Sequence, residues 1–292
     1  AQAMAFQQIA LIFAQVQGRG KAILEVGSGH GFTCTFFAQL GAREVHGVDV
    51  MPSAIQVAEE VKRRVDPSLP VIFRLADAAR GLPYDDAAFD VVLLVETLSH
   101  VVIADLGAFL REMVRVLRTG GLLYLSDGNN ARSWRRRRQN YRIWERFDQG
   151  PPTRGDETLY SHRIGTPYVA LRREIALKAA PSLSGTEAER IAERTFRFTE
   201  AEVGEAARRY AVSGEWPNSP FRRRVCPIDP VHGMYIEQLI DPTGVRRYLK
   251  GAGCEEVYCG PRRRLPLQPF WTGFPWLTFL VTNGFKIIAR KR

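Results

Sequence analysis

The sequence has few of the features that mark secreted or metal-binding chains. Its 292 residues contain four cysteines, with no Cys-x-x-Cys pair and no Cys/His cluster at zinc spacing. The start of the chain has no basic stretch ahead of its apolar residues, and the apolar segment 265–280 is broken by three prolines and a glycine. We therefore predict no disulfide framework, metal site, signal peptide or transmembrane helix, and we expect a reducing, cytoplasmic location.

The composition excludes a disordered or fibrous chain, because 45% of the residues are hydrophobic and 25% are charged. The net charge is +10, but it is unevenly spread. Basic and acidic residues number 11 and 14 in 1–127, 20 and 15 in 128–242, and 10 and 2 in 243–292. The excess of positive charge therefore lies after residue 127.

Short apolar segments alternate with helical patterns in the first part of the chain. Helices are predicted from Pro52, over 106–118 and over 242–252. Strands that alternate with helices pair in parallel, with helices on both faces. The sequence therefore predicts an α/β fold with a doubly wound, mostly parallel sheet of seven strands, at 22–26, 44–49, 71–76, 90–95, 121–126, 255–260 and 285–290.

The regular alternation stops near Gly128 and resumes near residue 242. We predict a core domain over 1–127, a mainly helical insertion over 128–242 that covers an acceptor site, and a closing helix and strands over 243–292. The insertion is rich in Arg, Trp, Tyr and Pro.

Glycines and acidic residues follow the first three predicted strands. The first strand ends in EVGSGHG, where Phe32 stands at the position of the third glycine of a dinucleotide loop. Asp49 ends the second strand, where a carboxylate accepts hydrogen bonds from both ribose hydroxyls and repels a 2′-phosphate. Asp77 follows the third strand, where a carboxylate can accept from an adenine amino group. The pattern predicts an unphosphorylated nucleoside, and the carboxylate of Glu25 ahead of the first glycine favours a cationic or amine-bearing ligand over a pyrophosphate.

These stretches resemble the successive motifs of class I S-adenosylmethionine-dependent methyltransferases. The resemblance rests on EVGSGHG, VHGVDV, LADAARGLPYDDAAFDVVLLVETLSHV and REMVRVLRTGGLLYLSDG, and covers 20–127 and 242–292. It implies a Rossmann-like fold with S-adenosylmethionine as cofactor. The segment 96–100 is similar to the E-x-L-x-H of the branch that includes quinone-biosynthesis methyltransferases.

The resemblance also implies which residues bind the cofactor. The glycine loop and the first acid would hold the methionine part, the second acid the ribose and the third the adenine. On this chain the residues so implied are Glu25, Gly27, Ser28, Gly29, Gly31, Asp49, Val50, Met51, Asp77, Ala78 and Glu96.

Three residues are candidates for catalysis. His100 follows the fourth strand, and is either a general base for a hydroxyl acceptor or a support for the loop. Asp127 follows the fifth strand and either orients the acceptor or ends the strand. His232 lies in the insertion, as do His162 and Tyr235, and we expect at least one of these three to face the methyl group.

The acceptor does not follow from the family, and three functions stay open. The first is O-methylation of a small-molecule, sugar or lipid-linked acceptor. The arginine run 135–138 is either a solvated helix face or a binding site for an anionic acceptor, and for the latter we prefer a small or lipid-linked molecule to RNA. The second is an RNA methyltransferase, and the third is a binding module without turnover. The aromatic segment 265–281 predicts packing under the insertion or a homodimer contact, with an apolar acceptor wall or a peripheral membrane contact as the alternative.

Overall fold

A computed structural model describes residues 2–150, 166–262 and 275–292. The chain divides into two compact units. The first comprises 1–98, 103–133 and 240–292, and the second comprises 99–102 and 134–239. The predicted role of 128–242 as a cover of the acceptor site stays a prediction.

The first unit is built on a seven-stranded sheet, as the sequence predicts. Its strands are β1 (Ala22–Val26), β2 (Glu44–Asp49), β3 (Val71–Leu75), β4 (Phe89–Val95), β5 (Leu117–Asp127), β8 (Cys254–Pro261) and β9 (Phe285–Lys291). Their spatial order is β3-β2-β1-β4-β5-β9-β8. The first five strands pair in parallel, and β9 runs antiparallel to both β5 and β8. The sheet is therefore doubly wound and mostly parallel.

Helices surround this sheet. They are α1 (Gln2–Gln15), α2 (Phe32–Gln39), α3 (Pro52–Val65), α4 (Leu106–Arg115), α9 (Pro242–Gly251) and α10 (Pro275–Val281). Pro52 occupies the first turn of α3, as predicted, and the side chain of Asp105 caps α4 by accepting from the Ala108 amide at 3.1 Å. A cluster of buried residues from α1, α2 and the strands, including Phe13, Phe37 and Leu93, forms the core.

The boundary between α4 and β5 differs from the prediction. The helix expected over 106–118 ends at Arg115, and β5 begins at Leu117 rather than at residue 121. Leu117 is fully buried and pairs with Phe89, whereas the next pair in register joins Val91 to Leu122. The extra residues form a bulge in which Gly120 has a positive φ of 78°. The burial of Leu117 outweighs the helical pattern of the segment.

The second unit contains α5 (Trp134–Gln149), α6 (Tyr168–Ala179), α7 (Gly185–Glu193) and α8 (Glu200–Ser213). It also holds a short hairpin of β6 (Ile228–Asp229) and β7 (Met234–Tyr235). Capping boxes at Ser184 and Thr199 start α7 and α8, because each side chain accepts from an amide three residues on. In the described ranges of the whole chain, no helix combines the length and the apolar character that a membrane span needs.

A buried ion pair joins α5 to α6. Arg172 and Asp148 both have side chains with no exposure, and their two hydrogen bonds measure 2.7 and 3.2 Å. The Nε of Arg172 donates to the carbonyl oxygen of Ala192 at 2.9 Å. The guanidinium is thus bound on two sides, which a buried charge requires.

We expect Asp148→Ala to lower the free energy of unfolding by about 3–5 kcal/mol, because it leaves the Arg172 charge buried without its carboxylate. Urea denaturation followed by circular dichroism measures this. Glu145→Ala on the same helix is the matched control, since Glu145 forms an exposed pair with Arg223 that should contribute less than about 1 kcal/mol. Equal losses in the two variants would contradict the assignment.

Candidate functional site

The order of the strands creates a crevice at one edge of the sheet. The chain goes from β1 outward to β2 and β3, and then crosses back to β4 on the other side of β1. The loops that follow β1 and β4 therefore diverge, and ligands of doubly wound sheets bind at such a switch point. The glycine loop 27–31 and the segment 96–98 follow these two strands.

The glycine loop is shaped by three residues with positive φ, Gly27, Gly29 and Gly31. A Cβ on Gly31 would lie 2.4 Å from the ring of Phe73 and 2.8 Å from Ala58. A Cβ on Gly27 would lie within 2.8 Å of the Thr97 side chain. At Gly29 nothing lies within 4 Å of that position. Gly31 thus provides the close helix–strand packing that a third glycine provides elsewhere, while Gly29 leaves room for a ligand.

Asp49 holds this loop from the end of β2. One carboxylate oxygen accepts from the Gly29 amide at 2.8 Å, and the other accepts from the Met51 amide at 2.9 Å. An ionised carboxylate offers about four lone-pair directions, so two are left for other donors. Asp49 is half-buried, and the next residue, Val50, is exposed. The geometry fits a ligand with two neighbouring hydroxyl groups.

Glu25 is buried within β1, directly before the loop. It accepts a hydrogen bond from the Sγ of Cys34 at 3.0 Å. Burial raises the pKa of Glu25 to about 7, with a smaller increase from the charge of Asp49, while the hydrogen bonds from Cys34 and Thr33 act to lower it. A carboxyl group with this pKa changes charge readily when a cation binds nearby.

Ser28 contributes to the packing of the loop rather than to its open side. Its side chain is buried, and its amide donates to the Val48 carbonyl oxygen at 3.0 Å. A Cβ on Gly47 would lie 2.9 Å from that of Ser28, so the two strand ends approach closely.

The third predicted acid, Asp77, follows β3 and is half-buried together with Ala78. One of its oxygens accepts from the Ala79 amide at 3.0 Å, and the other lies 3.1 Å from the Nε of Arg80. Arg80 is largely exposed. The side chain of Asp77 therefore forms the turn and also stays open to solvent.

Glu96 has an unusual backbone conformation at the end of β4, with φ of 55°. Non-glycine residues rarely adopt this conformation, and it clusters at functional sites. Its carboxylate accepts from the Gly128 amide at 3.0 Å and forms an ion pair with Arg262. Next to it, the Oγ1 of Thr97 donates to the Val26 carbonyl oxygen at 2.8 Å. Glu96 and Thr97 thus connect β4 to β5 and to β1.

Asp127 is the last residue of β5 and is almost completely buried. Its carboxylate accepts from the Asn129 amide at 2.9 Å. This is the geometry of a side chain that ends a strand in a turn. Whether Asp127 also orients an acceptor stays a prediction.

His100 is grouped with the second unit, although it comes only five residues after β4. Its Nδ1 lies 3.2 Å from the Tyr235 carbonyl oxygen. A carbonyl oxygen only accepts, so Nδ1 carries the proton and Nε2 is the basic nitrogen of the neutral ring. The Tyr235 amide donates to the His100 carbonyl oxygen at 2.9 Å, which fixes the backbone.

A second histidine in the same unit is oriented by a carboxylate. His232 Nδ1 lies 2.9 Å from the Oδ2 of Asp229, which is fully buried. The other oxygen of Asp229 accepts from the amides of Val231 and His232. The ring of Tyr235 is covered by the guanidinium of Arg197, 4.9 Å away. His162 and most of the aromatic segment 265–281 lie outside the described residues, so their predicted roles stay predictions.

Some contacts that shape the two units were not predicted from the sequence. Arg262 and Thr97 contact the loop ends, and Asp229 orients His232. The spacing of Asp229 and His232, three residues apart in IDPVH, is a local signal for such a pair. Arg262 has no local signal, because its partner Glu96 lies far away in the sequence.

Comparisons with known proteins agree with the geometry. Residues 24–125 match the family model described as a methyltransferase domain. The chain is 35% identical over 108 residues to 27-O-demethylrifamycin SV methyltransferase of Amycolatopsis mediterranei, covering 37% of this chain and 39% of that protein. It is 33% identical to norajmaline N-methyltransferase of Rauvolfia serpentina, covering 39% of this chain and 38% of that protein. It is 36% identical to phthiotriol/phenolphthiotriol dimycocerosates methyltransferase of Mycobacterium leprae, covering 41% of this chain and 43% of that protein. The match thus spans about two fifths of these relatives.

Two solved structures share the fold across nearly the whole chain. The [4+2]-cyclase SpnF has a TM-score of 0.51 at 16% identity, covering 98% of this chain and 81% of that one. A SAM-dependent methyltransferase from Methanosarcina mazei has a TM-score of 0.50 at 17% identity, covering 96% of each chain. Residues 24–125 thus form a methyltransferase domain, and the strand order and these likenesses show that the chain has the fold of the class I S-adenosylmethionine-dependent methyltransferases.

Proposed function

We propose that the chain transfers a methyl group from S-adenosylmethionine to a small-molecule or lipid-linked acceptor. The observation that supports this best is the pair of hydrogen bonds that Asp49 accepts from Gly29 and Met51. They orient a carboxylate at the switch point and leave two lone-pair directions for the two hydroxyls of a ribose. A negative charge there would repel the 2′-phosphate of NADP.

The other predicted residues complete the cofactor site. Gly27, Gly29 and Gly31 give the loop its shape, and the open side of Gly29 would admit the methionine part of the cofactor. Glu25 supplies negative charge beneath the loop for the methionine amine. Val50 and Met51 follow Asp49 as an apolar wall, and Asp77 with Ala78 would meet the adenine. Glu96 would support the site through Gly128 and Arg262.

Bound S-adenosylmethionine supplies a methyl group on a positively charged sulfur, which leaves as a neutral thioether when a nucleophile attacks the methyl carbon. The chain therefore mainly orients the reactants, which can contribute about 7–11 kcal/mol to lowering the barrier. A base is needed only for an acceptor that must lose a proton. For a hydroxyl acceptor we assign that proton to Nε2 of His100, the basic nitrogen of the ring.

The names of the relatives support a small acceptor and leave its atom open. One is named as a methyltransferase of 27-O-demethylrifamycin SV, and another as an N-methyltransferase of norajmaline. A third is named for dimycocerosates. We propose O-methylation for this chain, with an anionic or lipid-linked acceptor. The [4+2]-cyclase has the same fold, so the fold alone does not specify methyl transfer.

We expect S-adenosylhomocysteine to bind in the micromolar range and Asp49→Ala to weaken that binding roughly ten- to hundredfold. The reason is the loss of hydrogen bonds from the ribose to a charged acceptor, about 1.5–3 kcal/mol. Isothermal titration calorimetry measures both dissociation constants. Asp66, which accepts from Ser68 at the end of α3, provides the matched control as Asp66→Ala.

Tighter binding of NAD than of S-adenosylhomocysteine to the wild-type protein would contradict the proposed cofactor. An unchanged dissociation constant in folded Asp49→Ala would restrict Asp49 to a structural role in the loop.

Glu25 should make both stability and cofactor binding depend on pH. Its folded pKa of about 7 lies above the ordinary value of 4.5. Protonated Glu25 therefore contributes fully to the free energy of unfolding below pH 4.5. This contribution, up to about 3 kcal/mol, is lost as the pH rises through 7. The cationic amine of the cofactor favours the ionised form, so its binding near pH 6 should release a proton. Calorimetry in two buffers of different ionisation enthalpy counts that proton.

Glu25→Gln should remove both the proton release and the loss of stability with pH. The exposed Glu59 is the control, and Glu59→Gln should keep the wild-type pH dependence. Proton release that persists in Glu25→Gln would mean that another group titrates.

His100→Ala should lower turnover by about 10²–10⁴ while the cofactor dissociation constant stays the same, because the base acts only on the acceptor. The assay follows the transfer of labelled methyl from the cofactor into a cell extract, with the product identified by mass spectrometry. His232→Ala is measured in parallel, since Asp229 gives His232 the same tautomer. A thermal melt checks that both variants fold.

Turnover near the wild-type level in His100→Ala would reject the base role of His100. A loss confined to His232→Ala would transfer that role to His232. If the wild-type protein binds the cofactor but transfers no methyl group, the result would favour the hypothesis of a binding module without turnover.

A further inference from the structure

One residue of the arginine run 135–138 differs from the other three in its contacts. Arg136 Nη2 lies 2.9 Å from the Oε2 of Glu237, and both side chains are mostly buried. Arg135, Arg137 and Arg138 are exposed. None of these three has a carboxylate partner among the described residues. The run therefore does more than form internal ion pairs.

The unpaired charges extend along the outer side of α5. The helix buries Asn140, Trp144 and Asp148, which are four residues apart and so lie on one side. At about 100° per residue, Arg135, Arg138 and Arg142 project from the opposite side, and all three are exposed. The first residue of the helix, Trp134, is also exposed, at 53%. The guanidinium of Arg135 lies 5.3 Å from the Trp134 ring.

The loop 222–224 adds a further charge next to α5. Arg223 pairs with Glu145 at 2.8 Å, which already neutralises that acidic residue of α5. The Cζ of Arg224 lies 5.7 Å from the ring of Tyr141. Arg224 is exposed and, within the described ranges, has no acidic partner. We call Trp134, Arg135, Arg138, Arg142 and Arg224 the arginine face.

We propose that the arginine face binds the surface of an anionic phospholipid bilayer. Four unpaired guanidinium groups complement phosphate and carboxylate headgroups, and a half-exposed tryptophan beside them suits the boundary between water and lipid. The buried side of α5 fixes the helix in the unit, so the arginine face lies flat against such a surface without refolding. This inference goes beyond methyl transfer and does not rest on it.

Single-stranded nucleic acid fits this surface less well. Such strands bind by stacking bases on open aromatic rings. Tyr141 is contacted by the Trp144 ring at 5.4 Å and by Arg224, and Trp134 is contacted by Arg135. Among the described aromatic residues of α5 only Trp134 is exposed, so the arginine face offers one ring rather than a series of rings for successive bases.

The test is flotation of the full chain with vesicles of equal parts phosphatidylserine and phosphatidylcholine. Vesicles of phosphatidylcholine alone and a single-stranded or duplex oligonucleotide form the other arms. Each arginine near an anionic surface changes binding about fivefold, so Arg135→Gln, Arg138→Gln and Arg142→Gln together should weaken it about hundredfold. Added salt should also weaken the binding of the wild-type protein to the anionic vesicles.

The matched control removes the same charge from other exposed arginines of the second unit, as Arg173→Gln, Arg208→Gln and Arg209→Gln. Retained vesicle binding in this control, with loss in the arginine-face variant, supports the proposal. Equal losses in both, equal binding to uncharged vesicles, or tighter binding to the oligonucleotide would overturn it. Calorimetry with S-adenosylhomocysteine should give the same affinity in both variants, which separates this result from the proposed methyl transfer.

Discussion

The site depends on how the carboxyl end of β1 is held between its two neighbours. The amides of Gly27 and Ser28 donate to the Val48 carbonyl oxygen of β2, and Thr97 donates to the Val26 carbonyl oxygen from the side of β4. A strand buried on both faces has no water for these groups, so each needs a partner from an adjacent strand end. The glycine loop is fixed by these bonds before any ligand arrives. Such preorganisation lowers the entropy that binding must overcome.

The two units use buried charge in different ways. In the second unit, Arg172 and Asp148 satisfy each other, and the pair joins two helices. In the first unit, Glu25 has a thiol as its hydrogen-bond partner rather than a cation, and burial raises its pKa to about 7. The first arrangement is complete without a ligand, whereas the second is improved by a positive group. This contrast distinguishes a structural carboxylate from one suited to binding.

Much of the first unit could be predicted from the sequence, because its signals are local. Strand segments such as 22–26 and 44–49 are recognised by their apolar residues, Asp49 by its place at the end of a strand, and Asp77 by its place shortly after one. The start of β5 could not be predicted, since the burial of Leu117 depends on pairing with Phe89. Nor could the ion pair of Glu96 with Arg262, because a tertiary contact decides it. The identity of the acceptor could be predicted least of all, because the family motifs cover only the cofactor side of the site.

The antiparallel strand β9 has a consequence for how the chain folds. It lies between β5 and β8 in the sheet, and its residue Arg290 pairs with Leu122, far earlier in the sequence. The five parallel strands can associate as soon as residue 127 has been synthesised, but β5 keeps an unpaired edge until residues 285–291 follow. All of 134–239 is made in the interval and contains its own core around Ile191 and Val203. Contacts of such long separation form slowly, so the exposed edge of β5 makes this stage of synthesis the one most open to aggregation and to chaperone binding.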